Sequence, residues 1–136
     1  MRPIKFRGKD DDGNWLYGDL RQRMGYWPTI IESYCTDEGK VGYREIAVKE
    51  DTVGQFTGWN PRKCGDLYEG DIIGFDDWAF TERQRKKMKH HVGVIKWNTD
   101  DGRWQVHCED GIYLGNDIAD PQLLGNKYDN PELIKL

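Results

Sequence analysis

Three acidic turn sequences that contain a glycine divide much of the chain into pairs of short strand-like runs. The turns are KDDDGN from Lys9, CTDEGK from Cys35 and NTDDG from Asn98. A glycine in such a turn supplies the positive φ that a tight hairpin requires. The flanking runs are IKFRG and NWLYGDL, YWPTIIESY and VGYREIAV, and VGVIKW and RWQVHC. The sequence therefore predicts three β-hairpins and a mainly β fold with little helix.

In the third hairpin, alternation predicts which side chains share a face of each strand. Ile95 and Trp97 share one face of its first strand, and Trp104 and Val106 share one face of its second. Aromatic and β-branched residues that face each other across strands contribute about 0.2 to 1 kcal/mol per pair, which is enough to set the register. A last strand is predicted at GIYLGN, followed by a short helical turn in NPELIKL that Asn130 caps.

The stretch CGDLYEGDIIGF places two carboxylates, Glu69 and Asp71, on either side of Gly70. A catalytic pair of acids needs a cleft and a difference in pKa, and two residues on one face of a strand do not exclude that. A glycine between acids is better explained by a turn whose carboxylates accept backbone N–H bonds. We interpret Tyr68, Glu69, Gly70 and Asp71 as a structural turn motif that leads into a buried strand, Ile72 to Phe75.

Composition limits the remaining possibilities. A chain of 136 residues suits one compact domain, with the most plausible internal division near residues 50–57, and the net charge of −4 gives no general attraction for nucleic acid. Three separated cysteines favour reduced thiols, and no leader or apolar run of about 20 residues is evident. We expect a cytoplasmic protein with no membrane association.

One segment departs from the acidic character of the chain. Between residues 81 and 91 lie five basic residues against one acid, giving a local formal charge of +4 and leaving −8 for the remainder. The candidate phosphate contacts are Arg83, Arg85, Lys86, Lys87 and Lys89. Such a patch can bind phosphates, and the alternative interpretation is a solvated insertion between strands.

Four blocks, taken in order, resemble the YopX-like proteins of bacteriophages and prophages. They are IKFRGKDDDGNWLYGDL, TVGQFTGWNPRKCGDLYEGDIIGF, GVIKW and GNKYDNPEL. The resemblance implies N-terminal β-hairpins over residues 1–56, packed on a C-terminal SH3-like barrel over residues 57–136 with an insertion near residues 76–91. It implies a phage or prophage origin, hence a bacterial host cell, and it supplies no catalytic residues.

Other candidate sites carry less information. Chemically suitable zinc ligands are His90, His91, His107, Cys108 and Glu109. Their spacing matches no helical His-x-x-x-His or Cys-x-x-Cys motif, so we expect neither a metal nor a cofactor. No phosphate loop, nucleophile elbow or dinucleotide fingerprint is present.

Three functions remain open at this point. The first is a non-enzymatic module that binds a phage or host protein, with homo-oligomerisation expected from its edge strands. The second is a nucleic-acid-binding module that uses residues 81–91, with exposed rings such as Trp59 or Trp78 stacking on bases. The third and weakest is a hydrolase built on Asp71, Asp76 and Asp77.

Overall fold

The computed structural model describes residues 2–77 and 89–134 of the chain. These residues form ten β-strands and three short 3-10 helices, so the predicted mainly β class is confirmed. The chain divides into two compact units, Met1–Gly58 and Trp59–Leu136. Each unit is built on one antiparallel five-stranded sheet.

The N-terminal unit contains the first two predicted hairpins. Its strands are β1 (Phe6–Lys9), β2 (Trp15–Arg21), β3 (Thr29–Cys35), β4 (Val41–Ala47) and β5 (Gly54–Gln55), in the spatial order β4-β3-β2-β1-β5. In the first turn, the Asp10 carboxylate accepts the N–H groups of Asp12 and Asn14, and Gly13 has a φ of 83°. The Asp10 side chain thus accepts hydrogen bonds from backbone N–H groups of the turn, and Gly13 supplies the positive φ that the sequence predicts.

The core of this unit is small and lies on one face of the sheet. Leu16, Ile30 and Val48 are almost fully buried, and half-buried apolar side chains pack around them. Gly8 makes room for Val48, because a β-carbon at position 8 would lie 2.9 Å from the Val48 side chain. The small core leaves many large side chains of this unit in contact with solvent.

The second hairpin begins later than predicted. The run YWPTIIESY was predicted to be one strand, but β3 starts at Thr29, and residues 26–28 belong to the connection after β2. Pro28 explains the difference, since a proline disfavours continued strand pairing at its own position. Tyr26 and Trp27 have high strand propensity, so the sequence pattern indicates a strand where the structure has a loop.

The C-terminal unit has a five-stranded meander whose last strand returns to its first. The strands are β6 (Asp71–Asp77), β7 (His90–Asn98), β8 (Arg103–Cys108), β9 (Gly111–Tyr113) and β10 (Ile118–Asn126), in the order β10-β6-β7-β8-β9. The core is formed by Leu67, Ile73, Phe75, Ile95 and Val106, with Cys108 at its margin. Within the described residues this sheet is open, with β10 and β9 at its edges, and the SH3-like barrel stays a prediction.

The register of β7 and β8 brings the two predicted apolar faces together. Ile95 lies opposite Val106, and Trp97 lies opposite Trp104 with the two ring centres 4.9 Å apart in an edge-to-face arrangement. Edge-to-face packing is a favoured geometry for aromatic pairs, so this contact helps to fix the register.

The end of the chain differs in two ways from the sequence prediction. GIYLGN forms only the three-residue strand β9, and the longer strand β10 was not predicted. The predicted helical turn exists as a 3-10 helix at Pro131–Leu133, but Asn130 makes no side-chain cap. Its amide oxygen instead accepts the N–H of Asn126, 3.3 Å away, because the chain folds back on itself between these two residues.

Residues 68–71 form a hydrogen-bonded turn that leads into β6. The Asp71 N–H donates to the Tyr68 carbonyl, and the Asp71 carboxylate accepts the Tyr68 N–H at 2.7 Å. Gly70 has a φ of 90°, its N–H donates to the Ile95 carbonyl, and its own carbonyl accepts the N–H of Lys127. Asp71 is 2% exposed and Ile72 is fully buried. The turn thus connects β6 to the strand on each side of it.

We expect Gly70→Val to destabilise the protein by about 2 to 4 kcal/mol. A side chain is strained at this φ, and the new β-carbon would lie 3.2 Å from the Tyr128 ring. Urea denaturation measures the effect, and a Gly70→Val protein that unfolds at the parent's midpoint would contradict the importance of this turn.

Candidate functional site

The connection between β2 and β3, residues 22–28, presents three large exposed apolar side chains close together, and we call it the aromatic loop. Met24 is fully exposed, Tyr26 is 67% exposed and Trp27 is 62% exposed. Isolated exposed apolar residues are ordinary on protein surfaces, but three large ones within four positions form a patch. Such a patch is typical of a binding surface.

Local contacts give the aromatic loop a defined shape. The Tyr26 N–H donates to the Arg23 carbonyl at 3.2 Å, and Gly25 between them has a φ of 80°. The Arg23 guanidinium lies 4.7 Å from the centre of the Tyr26 ring, a cation–π distance. Pro28 then leads into Thr29, the buried first residue of β3. The loop is therefore anchored at its end and organised by a turn.

A cavity of about 850 Å³ lies beside the aromatic loop. One wall is the loop itself, and the other is formed by Lys49, Glu50 and Asp51 at the 3-10 helix Glu50–Thr52. The rim thus carries charges of both signs around aromatic walls. A cavity of this kind can accept an apolar side chain while the rim selects its polar neighbours.

A second cluster, in the C-terminal unit, surrounds a buried histidine, and we call it the histidine cluster. The His91 side chain is 4% exposed, its Nε2 lies 2.6 Å from Oδ1 of Asp77, and its Nδ1 lies 3.1 Å from Oδ2 of Asp110. The His91 ring also packs against Tyr113 and Phe75, with ring centres 4.6 and 5.4 Å apart. Nε2 of His91 and Oδ1 of Asp77 are both shielded from solvent and approach without in-line hydrogen-bond geometry, so this contact is chiefly electrostatic.

The histidine cluster connects three parts of the C-terminal sheet. Asp77 ends β6, His91 lies near the start of β7, and Asp110 lies in the turn between β8 and β9. The His91 ring therefore links segments that are distant in the sequence, through its contacts with the two carboxylates.

The other reactive groups near His91 are held in their protonated forms. Burial, together with the Asp110 and Asp77 carboxylates, raises the pKa of the Cys108 thiol to about 11. The same three causes, with a hydrogen bond to Asp110, raise the pKa of Tyr113 to about 12. A thiol in this environment is a poor nucleophile, because the thiolate is the reactive form. The histidine cluster consequently has the chemistry of a structural site.

The acids proposed for a hydrolase do not converge on one point. Asp71 and Asp77 begin and end β6, so six steps of strand, about 20 Å, separate them. Asp71 is engaged in the turn, and Asp76 pairs with His90 at 3.1 Å. Asp76 and Asp77 are adjacent on the strand, so their side chains point to opposite faces. Asp71 is too far from Asp77 for the two carboxylates to act together on one small substrate.

Some of the residues that the sequence predicts for a binding site are not placed as expected, and others lie outside the described residues. Of the candidate phosphate contacts, Lys89 is described and exposed, whereas Arg83, Arg85, Lys86 and Lys87 lie outside the described residues, as does Trp78. Trp59 is half-buried and packs against the C-terminal core, so it is not an exposed stacking ring. In residues 2–77 and 89–134 no group of three or more His, Cys, Asp or Glu side chains is arranged to hold a metal ion. No helix in that same part of the chain is long and apolar enough to span a membrane.

The sequence predicts neither the aromatic loop nor the histidine cluster, for different reasons. The aromatic loop was assigned to a strand, although the Pro28 signal was present in the sequence. The histidine cluster joins residues 77, 91 and 110, which no local pattern connects. His91 was considered only as one of several zinc ligands, and its contact with two carboxylates depends on the pairing of β6, β7 and β8.

The raised pKa of Cys108 predicts a loss of stability in alkaline solution. The unfolded thiol ionises from about pH 9, and the folded one resists ionisation until about pH 11, so the stabilisation is complete below pH 9 and is lost as pH rises through 11. The loss is about 1.4 kcal/mol per pH unit in this window. Cys108→Ala should be less stable at pH 8 but should lose less stability between pH 9 and 11.

Urea unfolding at several pH values measures this dependence. Cys35→Ala is the matched control, because Cys35 is exposed and should leave the parent's pH dependence unchanged. If Cys108→Ala and the parent lose equal free energy between pH 9 and 11, burial of this thiol is not what sets the alkaline limit.

Comparison with known proteins identifies a family. No curated protein and no solved structure matches the chain. A family model described as YopX protein matches residues 5–135, which is nearly the whole sequence and includes both compact units. The chain belongs to the YopX protein family.

Proposed function

We propose that this protein is a non-enzymatic interaction module of phage or prophage origin, and that it binds a phage or host protein through the aromatic loop. The origin rests on the resemblance of the sequence blocks to YopX-like proteins of phages and prophages. The binding role rests on the surface of the N-terminal unit.

The exposure of Met24, Tyr26 and Trp27 is the observation that carries this proposal. Burying one large apolar side chain on binding is worth about 1.5 to 3 kcal/mol. Tryptophan, tyrosine and arginine are also the residues most enriched among those that dominate interface energies. The aromatic loop presents all three of these residue types within five positions, Arg23 to Trp27.

The organisation of the loop adds to its suitability for binding. The turn at Gly25 and the stacking of Arg23 on Tyr26 limit the number of loop conformations. Less conformational entropy is then lost when a partner binds, so more of the contact energy appears as affinity. The adjacent cavity, with Lys49 opposite the loop, offers a recess for one partner side chain.

We expect Tyr26→Ala and Trp27→Ala each to weaken partner binding about tenfold or more, without changing the melting temperature. Each change removes apolar contact area at the interface but no core contact. Ile112→Ala is the matched control, because Ile112 is a similarly exposed apolar residue (57%) in the C-terminal unit. A photo-crosslinking amino acid at position 27, compared with one at position 112, identifies the partner in phage-infected or lysogenic cells. Titration calorimetry with the purified partner then gives the affinities.

The proposal fails if position 112 captures the same partner as efficiently as position 27. It also fails if the partner binds Tyr26→Ala, Trp27→Ala and the parent with equal affinity. In either case the binding surface lies elsewhere on the molecule.

Nucleic-acid binding through residues 81–91 is a second candidate function, supported by the local charge of +4 on an otherwise acidic chain. Lys89, the basic residue of this run that the structure describes, is exposed. The remaining charge of −8 repels any strand that extends beyond the patch, so the footprint should be short.

With three to five phosphate contacts, the logarithm of the duplex-DNA affinity should fall against the logarithm of salt concentration with a slope of about −3 to −5. Changing Lys86 and Lys87 to Ala should flatten the slope by up to about two units and leave the fold intact. Fluorescence anisotropy with a labelled duplex measures the slope. Absence of binding by the parent at low salt, where the attraction is strongest, would remove this candidate.

A further inference from the structure

Among residues 2–77 and 89–134, strand β4 (Val41–Ala47) is a long, open edge of the N-terminal sheet. It pairs with β3 on one side and is the outermost strand of the order β4-β3-β2-β1-β5. It contains no proline and no lysine, and five of its seven residues are exposed. Natural proteins commonly protect such edges with proline, lysine or a bulge, because an open edge recruits another strand.

The hydrogen-bond pattern shows which β4 residues face the open edge. At one end of the hairpin the Thr36 N–H donates to the Lys40 carbonyl, and at the other end the Val48 N–H donates to the Pro28 carbonyl. The register between β3 and β4 is continuous between these ends, so bonded and non-bonded pairs alternate along it. The even-numbered β4 residues therefore bond to β3, and Val41, Tyr43, Glu45 and Ala47 direct their N–H and C=O groups outward.

The side chains of β4 also leave the edge accessible. Tyr43 is 71% exposed and Val41 is 65% exposed, and they share one face of the strand. On the other face the Tyr34 ring covers Gly42, since a β-carbon there would clash with it. Arg44 is held by Glu32, with contacts of 2.7 and 2.8 Å. The edge thus combines unused backbone groups with an exposed tyrosine and valine.

We propose that β4 pairs with the β4 strand of a second copy of this chain, antiparallel and about a two-fold axis at Tyr43. When the β4 strands of two copies pair antiparallel, the outward-facing residues of one copy lie opposite outward-facing residues of the other. The two-fold axis then passes through a single residue of β4. Each choice of axis places one residue directly opposite its own copy.

Of the three residues nearest the middle of β4, Tyr43, Arg44 and Glu45, the charges favour Tyr43 as the axis. An axis at Arg44 places two arginines opposite each other, and an axis at Glu45 places two glutamates opposite each other; like charges in this position are destabilising. An axis at Tyr43 instead pairs the two tyrosines, places Val41 against the second copy's Glu45, and places the second copy's Arg44 opposite Gly42. In that position the second copy's Arg44 can stack on the Tyr34 ring that covers Gly42.

This pairing leaves the aromatic loop free. The loop precedes Thr29, which lies opposite Ala47, four residues along β4 from the proposed axis and so about 13 Å away. The dimer would carry two aromatic loops, one from each copy. A partner with two binding sites would then be held more tightly than by one copy, because its second contact is intramolecular.

Sedimentation equilibrium of the full chain over a dilution series tests the proposal. We expect a monomer–dimer equilibrium for the parent and a monomer for Tyr43→Pro, because this proline removes an outward-facing N–H and no bond to β3. Tyr43→Arg should raise the dissociation constant about tenfold with an unchanged melting temperature, since it removes the tyrosine pair and places two cations at the axis. Tyr26→Ala, which alters only the loop, should dimerise like the parent. A monomer at every concentration, or a dimer that persists in both Tyr43 variants, would overturn the proposal.

Disulfide trapping tests the register. In a Cys35→Ser background, which removes the exposed cysteine at the end of β3, oxidised Tyr43→Cys should form a covalent dimer faster than Arg44→Cys. The reverse order would overturn the axis at Tyr43.

Discussion

The C-terminal sheet depends on one glycine that turns the chain into strand β6. Gly70 sits at a φ that other residues adopt with strain, and its two backbone groups bond to Ile95 in β7 and to Lys127, just after β10. β6 begins at the next residue and lies between these two strands. The turn therefore fixes the start of β6 relative to both of its neighbours. The acids around Gly70 serve this geometry, with the buried Asp71 carboxylate closing the turn on the Tyr68 N–H.

The two units use their apolar residues differently. In the C-terminal unit, Ile73, Phe75, Ile95 and Val106 are fully buried in one core, and His91 bridges carboxylates from two other segments. The N-terminal unit has a smaller core and leaves aromatic side chains exposed on a loop and on an edge strand. This contrast is the physical basis for placing the binding surfaces in the N-terminal unit. The C-terminal unit offers charged contacts that stabilise it, with reactive groups kept in their protonated forms.

Local signals in the sequence were sufficient for the hairpins and the turn. The acidic turns with glycine located the six strands that flank them, β1 to β4, β7 and β8, to within about three residues at each end, and alternation placed Ile95 on the same face as Trp97. The sequence does not predict β10, because this strand lacks alternation and contains Pro121, which follows Asp120 with its φ of 48°. The sequence does not predict the histidine cluster, because its residues come from segments that are far apart along the chain. The edge of β4 could be identified only once the order of the strands was known, since a sequence does not state which strand is outermost.

Native-state hydrogen exchange, followed by NMR for individual amides, tests the role of the Gly70 turn most directly. The account predicts that the Gly70 N–H, bonded to the Ile95 carbonyl, exchanges only when the C-terminal unit unfolds as a whole. Its opening free energy should equal that of the core amides of β6 and β7, while amides of the aromatic loop exchange rapidly. A Gly70 amide that opens locally, several kcal/mol below the global unfolding free energy, would contradict the claim that the C-terminal sheet depends on this turn.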